Sequence, residues 1–261
     1  NIPLMKLKQL STKPIIRLSN ILTTATVLFW VLFFIGFQSN AQELTLNNAL
    51  TDKENSIIKI ASYTAQGDLE NLKVALYDGL DNKLTVNQIK EVLVHVYAYA
   101  GFPRSIRGLQ TFLQVLDDRK EMGVIDERGV EATPISDTGE KYMRGKQILE
   151  TLIGRSLDGP KPEYQKFSPE MDKFLKEHLF ADIFERDVLT YKQRELVTIS
   201  VLASLGDLEP MLSSHLNLSL NVGWQPVQLH YFITTIERTA SPEHAKTAKD
   251  VLARVLENVT D

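Results

Sequence analysis

The sequence predicts an all-α protein, two helical repeats in tandem packed as one helical domain. Three observations carry this. Apolar residues recur at three- and four-residue spacing through most of 42–261, as at Leu196, Ile199, Leu202 and Ala203. No stretch alternates apolar and polar residues for long, so half-buried strands are not expected. One segment also returns: TDKENSIIKIASYTAQGDLE (51–70) aligns without gaps on TYKQRELVTISVLASLGDLE (190–209) at a constant offset of 139. Thr51, Lys53, Ile60 and Gly67-Asp68-Leu69-Glu70 recur as Thr190, Lys192, Ile199 and Gly206-Asp207-Leu208-Glu209. Such self-similarity marks a duplicated supersecondary unit.

Residues 1–41 read as a signal peptide. Lys6, Lys8, Lys13 and Arg17 form a basic stretch without an acid, ILTTATVLFWVLFFIGF (21–37) is almost wholly apolar, and Ser39-Asn40-Ala41 fits a small-residue cleavage site. Secretion or periplasmic export follows, with no membrane contact after cleavage. The alternative is an uncleaved anchor, because 21–37 reaches the low end of a membrane span.

The first repeat is placed at 42–116. Its first helix ends at Gly67-Asp68, where Gly takes a left-handed turn and Asp caps the next helix. Helices follow at roughly 69–79 and 86–100, the last broken by Gly101-Phe102-Pro103. A connector with about two helices fills 117–189. In it, 117–138 is polar and reads as a loop, 139–153 as a helix, and 154–167 as a Pro/Gly-containing link. Ser168 is expected to cap the helix opened by Pro169-Glu170. The second repeat occupies 190–261, with the same Gly-Asp turn expected at Gly206-Asp207. Its later helices lie at roughly 208–221 and 225–239, and Pro226 suits a first helical turn.

Composition narrows the function. With 43% hydrophobic and 24% charged residues, a chain of 261 residues can bury a core without covalent staples. It contains no cysteine, which excludes disulfides, thiolate metal sites and a thiol nucleophile from these residues. Taking the four basic residues of 1–41 from the total of 29 leaves 25 against 33 acids, a formal net of −8. A nucleic-acid partner, which needs a basic face, is therefore not expected. His178, His230 and His244 show no metal-ligand spacing, and nothing calls for a metal or an organic cofactor.

AYAGFPRS (98–105), RELVTISVLASLGDLE (194–209) and HLNLSLNVGW (215–224) resemble the carboxymuconolactone decarboxylase family, which includes the alkylhydroperoxidase D-like proteins. KEHLFADIFERDVLT (176–190) resembles tandem members of that family. The resemblance covers about 45–260. It implies two alkylhydroperoxidase D-like repeats and a homo-oligomer, a trimer of tandem chains. Family peroxidases carry Cys-x-x-Cys-x-x-x-His after the glycine turn. Aligning on His215 puts Leu208 and Met211 at the cysteine positions, so a peroxidase is disfavoured. The non-redox branch, a lyase, needs no thiol, and Glu195 and His215 remain of the relay.

Counting residues tests whether those two can meet. Glu195 lies eleven residues before Gly206 and His215 nine after it. At about 1.5 Å per residue they stand roughly 16 and 14 Å from the turn, at similar height on an antiparallel pair. His215 shares a face with Met211, Leu212 and Leu218 and should point inward. An acid beside an imidazole in an apolar setting brings proton transfer near neutral pH within reach. Decarboxylation of an unsaturated lactone acid needs such a proton at carbon as carbon dioxide leaves. The catalytic candidates are therefore His215 as donor and Glu195 as its orienting partner. Arg194 is the candidate for binding the carboxylate of a small-molecule substrate. The competing expectation is a non-catalytic or ligand-binding helical oligomer that retains the fold.

Glu91, His95 and Tyr99 stand four residues apart on one helix. Copy one lacks the relay, with Ser56 where copy two has Glu195, while copy two has Thr235 where copy one has His95. His95 and Tyr99 would then complete a pocket built mainly by the other copy or a neighbouring subunit. Trp224 is a further substrate-binding candidate, open equally to a ligand platform and to a core place. The alternative is a polar stripe at a helix contact, with Glu91 and His95 pairing at i, i+4.

Overall fold

The computed structural model describes residues 49–135 and 139–260; the segment read as a signal peptide, 1–41, lies outside them. Among the described residues the chain forms ten α-helices and one π-helical segment, with no strand. The first repeat comprises α1 (Asp52–Gln66), α2 (Leu69–Asp81) and α3 (Val86–Glu121). The connector holds α4 (Lys141–Ile153), α5 (Glu163–Phe167), α6 (Pro169–Phe174) and the π segment Leu175–Phe184. The second repeat holds α7 (Tyr191–Leu205), α8 (Glu209–Asn221), α9 (Pro226–Thr239) and α10 (Pro242–Thr260).

The two copies start their helices with the same chemistry. Thr51 accepts from the Glu54 N–H while the Glu54 carboxylate accepts from the Thr51 N–H, a reciprocal cap on α1. Thr190 and Gln193 repeat it on α7, and Thr85 and Gln88 on α3. Pro226 stands in the first turn of α9. Gly67 closes α1 in the left-handed conformation (φ 76°, ψ 26°), and Asp68 caps α2 through the Asn71 N–H.

The equivalent turn in copy two departs from the expectation. Gly206 is extended in ψ (φ 72°, ψ 171°), Asp207 itself takes positive φ, and neither caps α8. The N-cap is Leu208, without a side-chain bond, and α8 begins at Glu209. The longer path places Pro210 within the first turn of α8, where a missing N–H costs nothing.

Three further expectations are corrected. Residues 117–121 are not loop: α3 resumes after Gly101 (φ 79°, ψ 167°) and runs to Glu121. Tertiary ion pairs hold this polar end. Lys73 and Tyr77 bind Asp118, and the nearly buried Arg119 binds Asp81 and Asp126. The connector carries more than two helices, because 163–167 forms a short helix and the chain widens into a π-helix from Leu175. Ser168 sits at the N-cap of α6, but its hydroxyl donates to the Glu170 carboxylate and caps no backbone group.

Both repeats share one core. α1 packs along α7, and Ile57, Ile60, Leu196 and Ile199 are fully buried. Burial of each such side chain stabilises by about 1.5–3 kcal/mol. Every residue of α7 from Arg194 to Ser204 is buried, as suits a helix covered on all sides. A second cluster joins α4 and the π segment to Tyr97, Tyr99 and Leu218. A cavity opens at that junction of connector and repeats.

Candidate functional site

Glu195 lies one turn into α7 and is fully buried; His215 lies at mid-length on α8 and is 15% exposed. The His215 Nδ1 donates to Glu195 Oε2 at 2.8 Å. The apposition expected from counting is present. The bond fixes the imidazole, and its Nε2 makes no hydrogen bond with the described residues. The other carboxylate oxygen, Glu195 Oε1, is buried with no partner. Buried orphan acceptors are rare enough to need an explanation, and a ligand or ordered water is the usual one.

Tyr99 comes from the other copy, two residues before the Gly101 break in α3. Its ring meets His215 edge-on, centroids 5.6 Å apart at 84°. Its hydroxyl is buried and unpartnered. The neighbouring Thr198 hydroxyl donates to the Arg194 carbonyl and accepts from His95, which leaves it one lone pair beside the Tyr99 hydroxyl. Burial first, and the Glu195 charge second, push the Tyr99 phenol well above its ordinary range. It therefore stays protonated and remains a hydrogen-bond donor.

Tyr99 and His215 line a cavity of about 830 Å³ between α8, α4, α6 and the π segment. Met211, at one of the positions that the family resemblance gives to cysteine, also lines it. So does Arg155, which follows the left-handed cap Gly154 of α4.

The remaining candidates do not reach this cavity. Arg194 is fully buried, donating to Glu91 Oε1 at 2.8 Å, to the Arg186 carbonyl and to His95 Nδ1 at 3.1 Å. Its charge is spent inside the protein, so it cannot serve a substrate carboxylate. Trp224 is 2% exposed, donates to the Lys192 carbonyl and lies under the Lys192 ammonium, which makes it a core residue.

His95 is fully buried behind Tyr99, ring centroids 5.6 Å apart. Its hydrogen bonds define its state. Nδ1 faces the guanidinium and must accept; the Thr198 hydroxyl donates to a carbonyl, so Nε2 must donate to it. Burial, then Arg194 and His215, hold its pKa well below the usual value, so the ring is neutral. The expected Glu91–His95 pair does not form. Glu91 binds Arg186 and Arg194 instead, and Arg194 links it to His95. His95 thus supports Tyr99 from behind and touches copy two, while only Tyr99 enters the cavity wall.

Arg155 was not singled out by sequence reasoning. It lies in a Pro/Gly-containing link with no periodicity, and only the fold brings it to the cavity.

A family model described as Carboxymuconolactone decarboxylase family matches residues 33–112 and 169–252, more than half of the chain. The chain belongs to this family. Its two matches correspond to the two repeats, the second taking in the π segment, and the all-α tandem architecture is that of a carboxymuconolactone decarboxylase family member without redox cysteines. No curated protein matches the chain.

Proposed function

We propose that the cavity is an acid/base active site acting on a carboxylated lactone or a related acid by decarboxylation, without a thiol. The observation that carries this reading is the Glu195–His215 hydrogen bond at the wall of a cavity that Tyr99 also lines.

In the proposed step the bond between the carboxyl carbon and the substrate skeleton breaks. Carbon dioxide leaves, and the electron pair stays on the unsaturated skeleton. Protonated His215 delivers its Nε2 proton to carbon. Glu195, ionised, holds the ring through Nδ1 and stabilises the imidazolium before transfer. The Tyr99 ring, packed edge-on against the imidazole, helps to hold its plane. The donor is fixed before the substrate arrives, so little reorganisation is needed during the step.

The test is carbon dioxide release from carboxymuconolactone by the wild type, His215→Ala and Glu195→Gln. General acid catalysis contributes about 10²–10⁴-fold. His215→Ala should lose turnover on that scale under conditions where it stays folded, since it leaves the buried Glu195 carboxylate unpartnered and lowers stability, and Glu195→Gln should lose less turnover. Wild-type turnover unaffected by either change would refute the reading. On the same view the substrate is met outside the cytoplasm, and N-terminal sequencing of the exported protein should begin at Gln42.

A further inference from the structure

The shape and charge of the cavity say more about the substrate than its reacting corner does. At about 830 Å³ it lies toward the upper end of the roughly 300–1,000 Å³ of pockets that enclose drug-sized ligands. A small lactone acid would leave much of it empty. The wall facing α8 is built from Leu149, Ile153, Leu175, Leu179 and Phe180. The polar groups of the lining, at Tyr164, Gln165, Ser214, Asn217 and Asn221, are neutral.

The charge on the wall is one-sided. Among the described residues no aspartate or glutamate lines the cavity. Arg155 lines it, is exposed, and makes no ion pair or hydrogen bond with the described residues. A guanidinium presents a planar fork that fits a carboxylate with two parallel bonds. Elsewhere the connector's cations are matched, as where Lys146 binds Glu150 and Asp158 and Lys161 binds Asp172. Arg155 is left for a partner from outside.

We infer that the cavity takes an amphipathic carboxylic acid, its acid group on Arg155 and an extended apolar body along the α4–π-segment wall. This rests on the proposed function for the chemistry at His215, and it names the substrate class. Arg155 is then a specificity-determining residue, in the place that sequence reasoning gave to Arg194.

The experiment is calorimetric titration of the full protein with octanoate, decanoate and dodecanoate below their micelle concentrations, and with dodecan-1-ol. Each added methylene should tighten binding by about four-fold, from roughly 0.8 kcal/mol per buried CH₂. Dodecanoate should bind up to about five-fold tighter than the alcohol, the equivalent of about 1 kcal/mol for an exposed ion pair. Arg155→Gln should abolish that preference and Arg155→Lys should restore part of it. Met171→Trp, at a half-exposed lining position, should weaken dodecanoate more than octanoate.

Binding that does not grow with chain length, or an acid preference that survives Arg155→Gln, would overturn the inference. The two readings fail separately. His215→Ala should still bind dodecanoate with its Arg155 dependence, because binding does not use the proton. His215-dependent turnover of carboxymuconolactone with no chain-length effect would remove this inference and leave the proposed function standing. Graded, Arg155-dependent binding without any His215-dependent turnover would support the ligand class and remove the chemistry.

Discussion

Replacing Glu91 with leucine should expose how the site is held. Glu91 and Arg194 are both fully buried and meet at 2.8 Å; Arg186, one-third exposed, binds the same carboxylate. Removing the acid lets Arg186 return to water. Arg194 cannot, and its guanidinium stays buried with only the Arg186 carbonyl and His95 Nδ1 as acceptors. Its Nε already lacks a partner. Breaking such a buried pair from one side costs about 3–5 kcal/mol. For a domain of this size 1 kcal/mol moves Tm by roughly 2–4 °C, so thermal unfolding followed by circular dichroism should fall by roughly 6–20 °C. Glu91→Leu combined with Arg194→Leu should recover much of the loss, because no buried charge remains. A drop below about 2 °C, or a double variant as unstable as the sum of the singles, would refute the reasoning. The effect also has a pH signature. Burial raises the Glu91 carboxyl, but hydrogen bonds and charge from the two arginines more than offset this and hold it below its ordinary value. A depressed folded pKa stabilises above the unfolded pKa of about 4.3, and that contribution disappears as pH falls through the folded value. The gap between wild type and Glu91→Leu should therefore narrow in acid.

Two other changes test the frame around the site. Gly101→Ala puts a side chain at φ 79°, ψ 167°, a region held almost only by glycine, and should cost about 1–3 kcal/mol in chemical denaturation. Because Tyr99 lies two residues away, the same change should also lower turnover. Thr190→Ala removes the reciprocal cap of α7 and should cost about 1 kcal/mol, with Thr51→Ala similar at the matching position in copy one.

Much of this architecture was legible because it follows from local rules. The helical period, the repeated Thr caps and the Gly67-Asp68 turn depend on neighbours in sequence, and so did the height at which Glu195 faces His215. What was not legible depends on distant partners. Arg194 looked like a substrate-binding cation because its acid, Glu91, lies 103 residues earlier and belongs to the other copy. Trp224 could be core or platform from sequence alone, and the bond from its N–H to the Lys192 carbonyl decides for the core. Residues 117–121 read as loop because their polar side chains find their partners on α2, at Lys73, Tyr77 and Asp81, and beyond the end of α3, at Asp126. The Gly206 turn differs from Gly67 although the four residues are identical, since Pro210 stands where copy one has Asn71, and proline lacks the N–H that Asp68 caps.

The most direct measurement is to run the decarboxylation in deuterium oxide and analyse the product. If His215 passes its proton to one face of the substrate, wild type should give product with a single deuterium in one configuration, and His215→Ala should lose the rate. Deuterium spread over both faces, or a His215→Ala enzyme as fast as wild type, would contradict proton delivery by the pair buried between α7 and α8.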